Sequence, residues 1–190
     1  MSKLNIDQKT VKELFSAKKT KFLIPDYQRP YAWGEDECQT LWEDLFNFSF
    51  PENNCDNFDS ESDEYFLGPI VTFKNDKGDM EIIDGQQRLT TLMLLLRAFY
   101  DKFKNMKDDK SEKTREQIEA CIWKTDEFGY VNTEELKINS EVATDKDKDE
   151  FLEILRTGDV TKGKSSYAKN YKFFQDKIKE FTEEYVSYTP

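Results

Sequence analysis

The apolar positions change period several times along the chain, and each change marks an element. In residues 7–17, Val11, Leu14 and Phe15 fall on one side of a short helix. "KFLIP" (21–25) reads as a strand stopped by Pro25, and "PDYQRPYAW" (25–33) as an aromatic loop. Its two prolines argue against continuous helix or strand. "GEDECQTLWEDLFNF" then places Cys38, Leu41, Trp42 and Leu45 at helical spacing, behind an acidic start that suits the positive end of a helix dipole. Residues 51–63 are polar and acidic, a loop or mobile insertion. "EYFLGPIVTFK" and "DMEIID" flank "NDKG", two β-prone runs around a turn, which predicts a hairpin. A strongly apolar helix follows from about Gln86 to Phe103.

Beyond residue 105 the pattern becomes mainly helical. Residues 111–124 read as helix, "EELKINS" as a short strand, and "DKDKDEFLEILRTG" as a helix ended by Gly158. "SYAKNYKFFQDKIKEFTEEYVSY" is a long amphipathic helix with Tyr171, Phe174, Ile178 and Phe181 on or near one face, expected to pack on the first half. The class is α+β. A core over 1–105 and a mainly helical extension over 106–190 are expected, and the chain ends at Pro190 as the first part of a longer protein would.

Composition narrows the chemistry. The 190 residues are 37% hydrophobic and 14% aromatic, enough for a buried core. Lys and Arg number 28 against 39 Asp and Glu, a formal charge of −11, which argues against autonomous duplex binding. There is no histidine, so this segment holds no Ser-His-Asp triad, histidine base or HNH-type nuclease motif. Cys38, Cys55 and Cys121 are scattered without a CxxC pair, which argues against zinc and for buried free thiols in a reducing cytoplasm. "DKDKDE" (145–150) begins like a calcium loop, but Glu150 stands where glycine is needed and Arg156 where the last glutamate is needed. No secretory or membrane-length apolar run is present, so a soluble, cytoplasmic protein is expected.

Two loops carry more polar chemistry than a connection needs. In "DMEIIDGQQRLTTL", Asp84, Gly85, Gln86, Gln87 and Arg88 stand where a strand turns into a helix. Gly85 permits a backbone closed to other residues, and the helix start leaves amides without intrahelical partners. Those amides with the Arg88 fork suit phosphate oxygens, while Asp84 suits an orienting contact to Arg88 or a hydrated magnesium ion. A plainer local account makes Asp84 the helix cap and Arg88 half of a salt bridge. Gln28 and Arg29 repeat the same vocabulary after the first strand, among Tyr27, Tyr31 and Trp33, whose rings either stack on a base or pack into the core.

"IPDYQRPYAW", "YFLGPIV" and "IIDGQQRLTTLMLLLRA" together resemble the N-terminal domain of GmrSD-type restriction proteins, densely over residues 20–100 and in pattern beyond. The resemblance implies a ParB/sulfiredoxin-like small mixed sheet with packed helices. It implies binding and hydrolysis of a nucleoside triphosphate with magnesium at the DGQQR segment. On that basis Asp84, Gln86, Gln87 and Arg88 are the catalytic candidates and Asp84 the metal ligand. Gln28, Arg29, Tyr31, Trp33, Gly85 and Thr90 are the nucleotide-contacting candidates. Gln86 or Gln87 would place the attacking water, and the residues leave open which one. The resemblance further implies phage defence against modified DNA through the full-length protein, with cutting done by an HNH-type nuclease domain or partner subunit outside this chain. A non-catalytic sensor of modified DNA, or a partner-binding scaffold, using the same cleft is the alternative.

Overall fold

The computed structural model describes residues 6–16, 21–54, 57–59, 62–126, 128–160 and 163–185. Among these, six α-helices accompany a four-stranded mixed sheet and a separate two-stranded ribbon. This is the expected α+β class, and it is compatible with the ParB/sulfiredoxin-like layout. All three residues of β1 (Phe22–Ile24) are buried, as befits a strand with neighbours on both sides. It runs parallel to β3 (Met80–Asp84) and to β6 (Ile138–Ser140), with Phe22 opposite both Met80 and Ile138. β2 (Val71–Lys74) pairs antiparallel with β3, giving the order β2-β3-β1-β6.

The predicted hairpin forms, but its first strand begins only at Val71. Gly68, at φ +101°, leaves the extended region just upstream, and Pro69 offers no ladder donor. "EELKINS" contributes more than a local strand. Its last residues are β6, so the half of the chain beyond residue 105 supplies an outer strand of the main sheet. Its first residues end β5 (Val131–Leu136), which pairs with β4 (Trp123–Thr125) in the ribbon.

The core centres on α3 (Gln86–Phe103), whose Leu89, Leu92, Met93, Leu94, Leu95 and Ala98 are all buried. A helix apolar on so many sides belongs inside a fold. α4 (Asp109–Ile122), α5 (Lys148–Thr157) and α6 (Ser166–Tyr185) pack against it. Tyr171, Phe174 and Ile178 of α6 are buried there, as their spacing predicts, while Phe181 meets Phe46 and Phe50 at the end of α2 (Glu35–Ser49). Lys137, fully buried, donates to the carbonyl oxygen of Phe15 and so fastens α1 (Val11–Ser16). Cys38 and Cys121 are free and buried; Cys55 lies outside the described residues. So do residue 17, residues 161–162 and residues 186–188, at the edges of expected elements, and residues 56, 60 and 61 of the acidic loop. No helix among the described residues is long and apolar enough to cross a membrane.

One charged cluster ties the helices together. Arg97 is 2% exposed; its Nε donates to the Leu155 carbonyl at 3.1 Å and its Nη1 pairs with Asp101 at 2.7 Å. Its guanidinium carbon lies 4.9 Å from the Tyr100 ring centre and 5.6 Å from that of Trp123. Asp101 also accepts from the Tyr171 hydroxyl and from Lys104 at 2.9 Å. Gly158 ends α5 at φ +77°, and a Cβ there would stand 2.5 Å from Arg97 Nη2. Glycine is therefore required twice, for the left-handed cap and for the room.

Burial by itself would raise the Asp101 carboxyl. The Tyr171 and Lys104 hydrogen bonds and the Arg97 charge outweigh it and hold the group below the ordinary carboxylate range. A depressed carboxyl stabilises the fold above its unfolded value, and that contribution is lost as pH falls through the folded value. Asp101→Asn is therefore expected to cost about 3 kcal/mol at neutral pH, where an uncompensated Arg97 is left buried. It should also flatten the fall in stability below about pH 4. Denaturant titrations of both proteins across pH check this; parallel curves would refute it.

Candidate functional site

β3 and β6 both run parallel to β1, which lies between them, so the loops that follow the three strands leave the sheet at one end. The chain leaves β1 for β2 and β3 on one side of it and later returns to β6 on the other, so strand order reverses about β1. Open sheets place ligands at such points. The loop after β1 is 25–33, that after β3 is the Asp84–Gln86 turn, and that after β6 is 141–147. Backbone bonds join the third to the first, Glu141 N to the Ile24 carbonyl at 2.8 Å and Ala143 N to the Asp26 carbonyl at 3.2 Å.

Between the first two loops lies a cavity of about 400 Å³, lined by Gln28, Arg29, Trp33, Asp84, Gly85, Gln86, Gln87 and Arg88. That volume lies within the usual span of small-molecule sites, roughly 300–1,000 Å³. Eight of the ten residues singled out from sequence thus meet at one surface. Tyr31 and Thr90 do not. Thr90 is 2% exposed within α3. Tyr31 stacks on Tyr167, ring centres 4.6 Å apart, and burial pushes its hydroxyl above the usual tyrosine value. It is a packing residue rather than a face for a ligand.

The glutamines explain how an irregular loop with two prolines holds its shape. Gln86 Nε2 donates to the Arg29 carbonyl at 3.1 Å, and Gln87 Nε2 to that of Pro30 at 3.1 Å. Gln87 Oε1 accepts from the Ala32 amide at 2.7 Å. Gln28 Nε2 reaches the carbonyls of Ile82 and Ile83 at 3.1 and 3.0 Å. Backbone groups thus engage both ends of the Gln87 amide. Gln86 Oε1 is buried without a hydrogen-bond partner among the described residues.

Sequence reasoning missed the residues that grip the loop from behind. Asn170 of α6, 2% exposed, donates from Nδ2 to the Tyr31 hydroxyl at 2.8 Å and to the Trp33 carbonyl at 2.9 Å. Thr91 gives its hydroxyl hydrogen to the Gln87 carbonyl at 2.9 Å and accepts from Tyr31 at 2.7 Å. Asp145 accepts from Tyr167 at 2.5 Å and lies 3.5 Å from the Tyr31 amide. One signal was available: Asn170 is the lone amide on the stripe of Tyr167, Tyr171 and Phe174.

The arginines are free to act on a ligand. Gly85 is the N-cap of α3 in left-handed conformation, at φ +88°, and no side chain caps the helix. Asp84 is exposed and makes no ion pair among the described residues. The plain account of this turn, with Asp84 as cap and Arg88 in a salt bridge, does not hold. Arg88 instead donates from Nη1 to the Pro69 carbonyl at 3.0 Å, which leaves its other donors. Arg29 is exposed and also forms no ion pair among the described residues. Two guanidinium groups and an uncapped helix start therefore make a local positive site on a chain of charge −11. No group of three or more His, Cys, Asp or Glu among the described residues could hold a metal ion. A single carboxylate fits a hydrated magnesium ion that arrives with phosphates, and does not fit a metal held by protein alone.

The family model of the GmrSD restriction endonuclease N-terminal domain matches residues 11–189. No curated protein matches the chain.

Gly68 makes room for Arg88: at φ +101°, an added Cβ would come within 2.8 Å of the guanidinium carbon. Gly68→Ala is expected to cost about 1–3 kcal/mol through backbone strain and to push Arg88 from its contact with Pro69. Thermal melting and a crystal structure of the variant check this; an unmoved Arg88 at unchanged stability would count against it.

Proposed function

The chain belongs to the GmrSD restriction endonuclease N-terminal domain family, and on that premise we propose that it is the nucleoside-triphosphate-binding and hydrolysing part of a restriction system. One observation carries this reading: Arg29, Arg88 and the uncapped start of α3 converge on a single cavity at the carboxyl ends of parallel strands. Polyphosphate is the ligand for which two forked cations and free helix amides are suited.

In this reading Arg88 and Arg29 bind phosphate oxygens from opposite walls. Trp33 lines the cavity, with its backbone fixed by Asn170, and a base would rest against it. Asp84 would hold magnesium together with the phosphates, and the ion would supply neutralisation of their charge. Sequestered and oriented this way, phosphoryl transfer requires little of the protein beyond position and electrostatics. Action on modified DNA, and cutting by an HNH-type nuclease domain or partner, belong to the full-length protein.

The test is a thermal melt with each nucleoside triphosphate and magnesium. At 100 times its dissociation constant a ligand adds about 2.7 kcal/mol, or about 5–10 °C for a chain this size. Arg88→Ala should weaken binding roughly 10- to 100-fold, the worth of a charge-assisted hydrogen bond. No shift with any triphosphate would overturn the reading, and a shift with modified DNA alone would favour the sensor.

A further inference from the structure

Gln28 stands in the first loop with only one end of its side chain in use. Its backbone amide donates to the Pro25 carbonyl at 3.2 Å, which sets the turn that carries it. Its Nε2 donates to the carbonyls of Ile82 and Ile83 at 3.1 and 3.0 Å, one acceptor for each amide hydrogen. Those contacts fix which end of the amide is oxygen. Gln28 Oε1 has no hydrogen-bond partner among the described residues, and unlike Gln86 Oε1 it is not sealed from solvent. The residue is half-buried and lines the cavity with Arg29, Trp33 and Arg88. Gln28 therefore offers a ligand a neutral acceptor and no side-chain donor.

An acceptor of that kind does not suit phosphate. Ionised phosphate oxygens only accept, and the donors that suit them are the Arg29 and Arg88 forks and the first amides of α3. Asp84, the charged acceptor at the same cavity, suits a cation. A carbonyl oxygen held in one direction suits an O–H or N–H on an uncharged part of the ligand. A nucleoside carries such groups, its sugar hydroxyls and its base N–H groups, and an ionised inorganic polyphosphate carries none. We propose that Gln28 is a specificity-determining residue, whose Oε1 accepts a hydrogen bond from a hydroxyl or N–H of the nucleoside, so that the site takes nucleotides in preference to bare polyphosphate. This rests on the nucleotide reading above and adds to it how the nucleoside is distinguished. A site built to pair with such a group rejects the analogue that lacks it.

The experiment is calorimetric titration, with magnesium, of the wild-type chain, Gln28→Met and Gln28→Lys. The ligands are ATP, GTP, CTP and UTP, their forms lacking one sugar hydroxyl, and inorganic tripolyphosphate. Lysine can still donate to the Ile82 and Ile83 carbonyls but has no acceptor, so it keeps the loop contacts that methionine loses, and melting temperatures report this. In the wild type, removing the accepted group from the ligand should weaken binding about tenfold. In Gln28→Lys the same removal should cost less than about twofold. The nucleotide-to-tripolyphosphate affinity ratio should fall about tenfold in both variants, and as a ratio it cancels the charge that lysine adds. A wild-type loss on removing a sugar hydroxyl identifies the sugar as the source, and a difference among bases with none among sugars identifies the base. Equal wild-type affinity for every nucleotide, its deoxy forms and tripolyphosphate would overturn this inference while leaving a phosphate site in place, and this arm needs no variant to fold. A Gln28→Lys chain that discriminates as the wild type does would also overturn it. So would an unchanged ratio with parallel losses for nucleotide and tripolyphosphate, which would put the oxygen on a magnesium-bound water instead. A wild-type chain that binds none of these ligands overturns the nucleotide reading and this inference with it.

Discussion

A peptide segment with two prolines cannot satisfy its own backbone. Residues 25–33 are neither helix nor strand, yet they lie against the core, where unpaired carbonyls and amides are costly. Side chains supply the missing partners. Gln86, Gln87 and Asn170 serve the carbonyls of Arg29, Pro30 and Trp33, and Gln87 also serves the Ala32 amide. This exchange of side-chain amides for secondary structure is the constraint on which the candidate site depends. It lets a loop, free of regular geometry, stand at a fixed distance from a helix start and carry Arg29 on its outer side.

The same constraint explains the glycines nearby. Gly85 lets strand β3 turn into α3 without a capping side chain, and a Cβ added there would crowd the Pro69 carbonyl oxygen at 3.0 Å. Gly68 yields its space to the Arg88 guanidinium. Each cation is thus supported by backbone, Arg88 by the Pro69 carbonyl and Arg29 by a stapled loop, and neither forms an ion pair among the described residues. A positive cleft survives on an acidic chain because its charges are held without being paired.

Much of this was legible in the residues. The DGQQR turn and the Gln28-Arg29 loop stand out because amides and guanidinium groups are poor choices for plain connections, and they do share one cavity. The long helices showed in their apolar periods, down to Gly158 as the stop of α5. What could not be read was pairing across distance. Nothing local to "KFLIP" says that it lies between β3 and β6, yet that placement brings three loops to one edge. The direction of a side chain was equally hidden. Tyr31 and Trp33, two residues apart, both pack against the core, and only the three-dimensional arrangement stacks Tyr31 on Tyr167 and brings Trp33 to the cavity wall. Asp145 sits in a run of alternating charge, where composition does not distinguish a buried hub from a solvated face.

The middle position of β1 has a consequence for how the molecule comes to exist. Both of its partners lie far along the chain, β3 after the acidic loop and β6 well beyond residue 105. Pairings of such separation raise contact order and are slow, because loop-closure entropy is spent before they form. During synthesis, the DGQQR turn and the Gln28-Arg29 loop emerge long before Asp145 and Asn170, which brace the loop from behind. Until β6 is made, β1 keeps an open edge, and until α6 is made the loop lacks its rear support. The candidate cleft, whose rear brace is Asn170 of α6, is complete only once that helix has been made.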